Sequence, residues 1–469
     1  MSEPHEDRVH PNVTLSVLSV SGLAYSILSS AVIPALPTIQ HALHTSETGV
    51  TWLLTGYLLS ASVGTAILGR LGDMFGKERV LVWTLVVLAA GTVLAGLADS
   101  LPLLIVARVL QGVAGGIFPL SFGIIRDEFP REKVAGSIGL ISAILGVGGG
   151  VGIVAGGLVA EHLSWHWLFW MPLVLIVPAT FCTWRYVPES PVRVPGRINW
   201  TAAALMSAGV SLSLVAVSET TTWGWGSART LGLLFVGLAL CAAWVAVETR
   251  SAEPLIDMTM MRIRGVWTTN LTAFLLGAGM YSSFIVFPQF AQLPRRTGGF
   301  GASVVQSGLY LLPSTIGMVL VGSLAGVIAF RFGSKRAVVA GSVVTAAAFG
   351  FLAAVHAHPY DMLISAALLG IGIGLAFAAL GNLIVEAVRP EQTGAAGGMN
   401  TVMRTIGGAL GGQLAATFIA GHTHHGLPAS TGFTDTFVMA TAFLVVCALA
   451  ALLVPGRREA GLRVEPSVT

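Results

Sequence analysis

The sequence predicts an all-α membrane protein in which fourteen helices cross the bilayer. Two six-helix bundles are joined by two inserted linker helices. Three observations carry that prediction. Of the 469 residues, 54% are hydrophobic and only 10% charged, against about 25% charged in soluble domains. The apolar residues fall into fourteen stretches, each near the ~20 residues that cross about 30 Å of hydrocarbon. Lysine and arginine cluster in alternate connections between those stretches. A surface of this composition needs lipid as its solvent, so the bilayer is the first partner the sequence implies.

The predicted spans, in order, cover 14–34, 49–69, 80–98, 101–124, 134–158, 166–183, 200–218, 230–248, 266–288, 304–328, 337–355, 361–386, 396–420 and 434–454. Residues 1–12 are polar, and the first apolar run lacks a small-residue cleavage site. It is therefore read as a span rather than a signal peptide. Pro34, Pro37 and Pro313 stand where a helix would kink. Trp165, Trp167 and Trp170 are expected to form an interfacial anchor. The 57 glycines suit close helix packing in lipid.

Charge orients these spans. With the N-terminus cytoplasmic, the inner segments hold 20 Lys and Arg and the outer loops hold 3, Arg229, Arg295 and Arg296. The remaining two, Arg108 and Arg404, lie inside spans. That bias follows the positive-inside rule. One missed span would invert every later loop, so both termini are predicted cytoplasmic. The net charge of +3 gives no reason to expect nucleic acid as a partner. Cys182, Cys241 and Cys447 lie in apolar runs, and no metal site is expected, His422, His424 and His425 included.

A weak internal repeat sets the organisation. Span 2 ends in GRLGDMFGKERV (69–80), and span 10 ends in GSLAGVIAFRFGSKRAVVAG (322–341). Matching these ends pairs spans 1–6 with spans 9–14. The expected units are an N-terminal bundle over 14–183 and linkers over 184–264 carrying the inserted spans 200–218 and 230–248. A C-terminal bundle over 265–455 and a tail over 456–469 follow. Two homologous bundles with a midplane site between them suggest alternating access.

The residues after span 2, Gly69, Leu71, Gly72, Asp73, Gly76 and Lys77 with Arg79 beyond, resemble the pattern Gly-x-Leu-Ala-Asp-Arg-x-Gly-Arg-Lys of the major facilitator superfamily. More narrowly, the chain looks like the fourteen-span drug:proton antiporters of that superfamily. Span 4 adds Arg108, Gln111, Gly112, Gly115 and Gly116, similar to the family's intramembrane arginine motif. Span 5 adds Gly148, Gly152, Gly156 and Gly157, similar to its antiporter motif with Ile153 in place of the proline. The resemblance implies the major facilitator fold, a bacterial inner-membrane location and no enzymatic activity. Its implied work is export of small amphipathic drugs, antibiotics or natural products by alternating access coupled to a proton gradient, with no cofactor. Import or exchange of a small metabolite on the same fold stays open.

Each motif also has a physical reading. A carboxylate at Asp73, among Lys77 and Arg79 and near Asp127, can pair with cations or cap a neighbouring helix N-terminus, and so latch the bundles. Arg108 and Arg404 inside the membrane call for partners or a wet cavity. Glycines four apart on span 5 make a packing face. Tyr25, Ser30, Tyr57, Gln111, Asn270, Tyr281, Tyr310 and Asn382 are the polar or amphipathic candidates for a substrate cavity.

The span-1 stretch Ile27–Pro37 keeps Ala-Leu-Pro but has Leu28 and Ile33 where the antiporters often carry Asp and Asn. None of the 22 carboxylates falls at mid-depth in a predicted span. Proton coupling would therefore run through Asp73, Asp127 or Glu386 near span ends. The cargo is expected to be neutral or anionic rather than dicationic, and the working unit a monomer.

Overall fold

The computed structural model describes residues 10–455 except 46, 191–198, 252–253, 255, 390–391 and 425–426. The tail expected over 456–469 lies outside the described residues, as does His425.

All fourteen predicted spans are helical. Spans 1 to 3 are Pro11–Ala31, Glu47–Phe75 and Lys77–Gly96. Span 4 is Leu101–Val113 joined to Ile117–Glu128 through one 3₁₀ turn, Ala114–Gly116. Spans 5 to 9 are Arg131–His162, Trp167–Tyr186, Trp200–Ser218, Ala228–Arg250 and Arg264–Gln292. Span 10 is divided at Leu311 into Val304–Tyr310 and Leu312–Phe332, with Pro313 in the first turn of the second piece. Spans 11 to 14 are Ser334–Ala354, Pro359–Ala387, Thr393–Gly421 and Ser430–Leu452. A two-residue antiparallel ladder, Thr423–His424 with Leu427–Pro428, is the β-structure among the described residues.

Among the described residues, thirteen helices are long and apolar enough to cross a membrane. Span 13 is not among them, although it has 29 residues. It carries Asn400, Arg404 and Gln413, and its buried positions run almost its whole length. A helix walled by protein need not be lipophilic, because its polar groups never face hydrocarbon.

Helix pairing repeats between the halves. Span 1 packs on spans 5 and 6, span 2 on span 4, and span 3 on spans 4 and 6. In the second half, span 9 packs on spans 13 and 14, span 10 on span 12, and span 11 on spans 12 and 14. Adding eight to each span number turns one set into the other. The contacts between bundles follow the same rule, since span 5 meets span 10 and span 13 meets span 2. Two six-helix bundles are thus related by a pseudo-two-fold, and spans 7 and 8 form a hairpin against spans 2 and 13.

Glycine makes the close crossings possible. A Cβ at Gly148 would meet Ser26, one at Gly152 the carbonyl of Ile27, and one at Gly156 the carbonyl of Ala31. Gly157 is buried beside them. The same device holds span 13 to span 9, where a Cβ at Gly407 or Gly411 would strike the carbonyls of Phe274 and Ala278. The repeated loop is also matched in backbone. Gly76 (φ 108°) and Gly333 (φ 83°) both lie in a region that favours glycine, and each starts the helix that follows.

One sequence expectation fails locally. Trp165 is buried against Phe169 instead of joining an interfacial belt, while Trp167 is half exposed. Trp165 precedes the helix and turns inward.

Candidate functional site

Two features occupy the junction of the bundles: a charged latch at one face and a cavity behind it. The latch begins where span 2 ends. Asp73 is buried, and its Oδ2 accepts a hydrogen bond of 3.2 Å from the backbone N–H of Ala395, in the first turn of span 13. A carboxylate at a helix N-terminus takes an orphan donor and meets the positive end of the helix dipole. Gly69 permits the approach, because a Cβ there would strike the carbonyl of Gly394. Behind Asp73, the fully buried Lys77 ammonium lies 3.5 Å from Asp73 Oδ1 and donates to Asp127 Oδ2 at 2.7 Å. Its stem fills the space that a Cβ on Gly123 of span 4 would enter.

Arg126, next to Asp127, makes a second tie across the bundles. Its guanidinium donates to Thr393 Oγ1 at 2.6 Å and to the Val388 carbonyl, just past the end of span 12, at 2.8 Å. Asp73 therefore holds the N-terminus of one C-bundle helix while Arg126 holds the C-terminus of another. Both choices suit the helix dipoles.

Arg79 does not join this cluster. Two residues along span 3 from Lys77, it lies about 200° round the helix. It is 66% exposed and pairs with Glu189 at 3.5 Å. Glu189 also accepts from the Glu78 N–H, while the Ser190 hydroxyl bonds Asp127. The start of the linker after span 6 is thus fastened to the latch. Glu386 occupies the corresponding place in the second half, exposed and accepting from Ser334 Oγ at 3.2 Å. Phe330 stands where the repeat would put Asp73, so only one half carries the capping carboxylate.

Arg108 is fully buried in span 4. Its Nε donates to the Leu53 carbonyl at 3.2 Å, its Nη1 to Gln111 Oε1 at 2.8 Å, and its guanidinium lies 4.2 Å above the Tyr57 ring. Gln111 in turn reaches the Gly91 carbonyl at 3.3 Å. Spans 2, 3 and 4 are joined through these two side chains. The following glycines serve the same contact, since a Cβ at Gly112 would strike Ser60 and Tyr57 of span 2, and one at Gly115 would press on Thr65. Arg108 and Gln111 do not line the cavity. They support the back of Tyr57, which does.

The cavity, about 310 Å³, lies between the bundles. Tyr25, Ser30 and Tyr57 line it from spans 1 and 2, and Tyr281, Phe377 and Arg404 from spans 9, 12 and 13. Tyr25 stacks near Tyr57 and meets Phe118 edge-on, both with centroids 6.0 Å apart. The lining reaches Ile33, just past span 1, and Ser218, the last residue of span 7. Both lie at helix ends remote from the latch.

Of the predicted cavity residues, Gln111, Asn270, Tyr310 and Asn382 are elsewhere. Asn270 Oδ1 accepts from Asn400 at 3.0 Å, tying span 9 to span 13. Asn382 donates to the Ala135 carbonyl of span 5, and Tyr310 packs on Phe300. A polar group on a buried helix face finds a helix neighbour as readily as a cavity, and residue type alone does not separate the two. In the sequence Arg126 is one of the 20 inner-segment cations, and no local pattern sets it, Thr393, Phe118 or Phe377 apart.

Among the described residues no cluster of His, Cys, Asp or Glu could hold a metal ion. His422 instead lies 3.5 Å from Asp435.

The family model described as Major Facilitator Superfamily matches residues 18–412, and matches again over 269–468. The chain belongs to the major facilitator superfamily. Among curated relatives in the superfamily, the tetracenomycin C resistance and export protein of Streptomyces glaucescens is 30% identical over 88% of this chain and 77% of that protein. A multidrug transporter of Bacillus subtilis is 29% identical over 77% of this chain and 67% of that protein. The multidrug resistance protein B homologue of Mycobacterium tuberculosis is 28% identical over 80% and 70%. The crystal structure of the human organic anion transporter MFSD10 covers 94% of this chain with a TM-score of 0.67. At 15% identity that likeness concerns the fold, which is the superfamily's. These matches make the chain a membrane transporter and not an enzyme.

Proposed function

We propose that this protein exports small amphipathic molecules, drugs or natural products among them, across a bacterial inner membrane by alternating access. The observation that carries the reading is the cavity between the bundles, walled by aromatic and apolar side chains, behind a face tied by Asp73 and Arg126. The relatives named for multidrug and tetracenomycin export support the direction. In this proposal the bundles over 14–183 and 265–455 move against each other, while 184–264 links them. Both termini are cytoplasmic, the chain works as a monomer, and it is of the fourteen-span type. The conformation would then be closed toward the cytoplasm.

Coupling to protons is part of the proposal. Among the described residues the cavity lining holds no carboxylate and no histidine, so the carrier would sit at the latch. Protonating Asp73 removes the charge that caps span 13 and attracts Lys77, which loosens the tie between bundles. Neutral or anionic cargo fits the same lining, because a dication would enter next to Arg404 with no carboxylate beside it.

The test is efflux of a fluorescent amphiphile from proteoliposomes under an imposed pH gradient, native chain against Asp73→Asn. Gradient-driven flux in the native chain and at least a tenfold loss in the variant are expected. Flux indifferent to the gradient would remove proton coupling and leave the transporter.

A further inference from the structure

Among the described residues, Arg404 is the single fixed charge in the cavity wall. It is 8% exposed and belongs to span 13, which also carries Asn400 and Gln413. Its guanidinium stacks 4.6 Å above the Phe377 ring. That contact satisfies the face of the cation but not its N–H groups, which point outward in the guanidinium plane. Among the described residues Nε has no hydrogen-bond acceptor, and no carboxylate pairs with the group. Gln413, further along span 13 and also in the wall, has an amide nitrogen without an acceptor. Two donor groups of this wall, one of them cationic, thus lack acceptors among the described residues.

Backbone packing fixes the place of the charge. The Arg404 carbonyl occupies the space a Cβ on Gly277 would need, and the Tyr281 ring lies 2.6 Å from where a Cβ on Gly408 would stand. Tyr281 and Arg404 are therefore held side by side on facing helices. The aromatic group of Tyr25, Tyr57 and Phe118 forms part of the wall contributed by the other bundle.

We infer that Arg404 is the anchor for one anionic group of the cargo, a carboxylate or an ionised phenol. The planar apolar body of the cargo lies against the Tyr25–Tyr57–Phe118 wall. The inference rests on the export reading and names the class of molecule exported: aromatic monoanions. A carboxylate accepts from Nε and a terminal nitrogen of a guanidinium together, the fork geometry that makes arginine the preferred partner for such groups. Phe377 holds the guanidinium plane in place, so little side-chain freedom is lost on binding.

Three matched probes test this: anthracene-2-carboxylate, its primary amide and its aminomethyl analogue. Each is titrated against the purified full-length chain in nanodiscs, as native protein, Arg404→Gln and Arg404→Lys. The native chain is expected to bind the carboxylate at least tenfold more tightly than the amide, and the amine most weakly. Arg404→Gln brings the carboxylate down to the level of the amide and leaves the amide within about threefold. Arg404→Lys keeps part of the preference, as a point charge without the fork.

If native protein binds the amide or amine as tightly as the carboxylate, or if Arg404→Gln keeps the discrimination, Arg404 is not the anchor. The comparison within native protein stands even if a variant fails to fold. Vectorial flux of the carboxylate and of the amide in proteoliposomes separates the two readings. Flux without charge discrimination overturns this inference alone, and discrimination without outward flux overturns export alone.

Discussion

At the scale of single residues, the buried charges differ in what they hold. Lys77 stands between two carboxylates, Asp73 and Asp127, while Asp73 also caps span 13. Replacing Asp73 by Asn leaves Lys77 paired with Asp127. The expected effect is about 1–3 kcal/mol, read as a shift toward the state open at the latch face in a double electron–electron resonance distance distribution. Replacing Lys77 by Met strands two buried carboxylates, a loss of about 3–5 kcal/mol. Its membrane yield and thermal midpoint should fall well below those of Asp73→Asn, and equal yields would contradict the central position given to Lys77. Arg79, exposed beside Glu189, is different. Arg79→Ala should stay within about 1 kcal/mol of native stability, as exposed pairs usually do.

At the scale of elements, the decisive contacts are helix crossings made by glycine. Gly156 lies against the Ala31 carbonyl, and Gly407 against that of Phe274. Valine at either site must push two helices apart, with no flexible side chain to give way. Overpacking by a few methyl groups costs roughly 1–3 kcal/mol or more. Both variants should lower the thermal midpoint, whereas Gly232→Val, where a Cβ meets nothing within 4 Å, should leave it unchanged. The hairpin of spans 7 and 8 is held by the same chemistry, with Gly209 and Gly237 facing each other's helix. Its connection touches the body through Trp225 Nε1, which donates to Thr417 Oγ1 at 3.0 Å.

At the scale of the whole molecule, transport by alternating access requires the latch to part. Arg126 and Thr393 come from different bundles and meet at 2.6 Å. Cysteines at both positions, in a chain with Cys182, Cys241 and Cys447 replaced by Ser, should be bridged by a short bis-methanethiosulfonate reagent, which spans the reach of the arginine side chain. Flux should fall to background and return on reduction. Full flux in the cross-linked protein would mean that this junction does not open during transport. Orientation is open to a direct check: a cysteine at Arg295, in a predicted outer loop, should react with an impermeant maleimide in intact cells, whereas one at Lys335 should not.

The fold was legible in the sequence because lipid imposes a one-dimensional rule: an apolar run of sufficient length between alternately charged loops must be a span. Span 13 tests the limit of that rule, since Arg404 and Asn400 make it too polar for hydropathy while spacing and charge still locate it. The close crossings were legible too, as glycines four apart on span 5. The latch was half legible: Asp73 and Lys77 stood out, but Ala395, which bonds Asp73, and Thr393 and Val388, which accept from Arg126, lie more than 260 residues away from those partners along the chain. The cavity was least legible. Tyr281 and Asn270 are both amphipathic or polar residues on span 9, eleven positions apart, yet one lines the cavity and the other bonds Asn400. The sequence by itself determined how many helices there are, their order and the glycines that let them touch, because these follow from solvent and spacing. Only the tertiary structure decided which polar side chain meets a neighbour and which is left facing the cavity. That depends on the rotation of each helix against its partners, which no local pattern records.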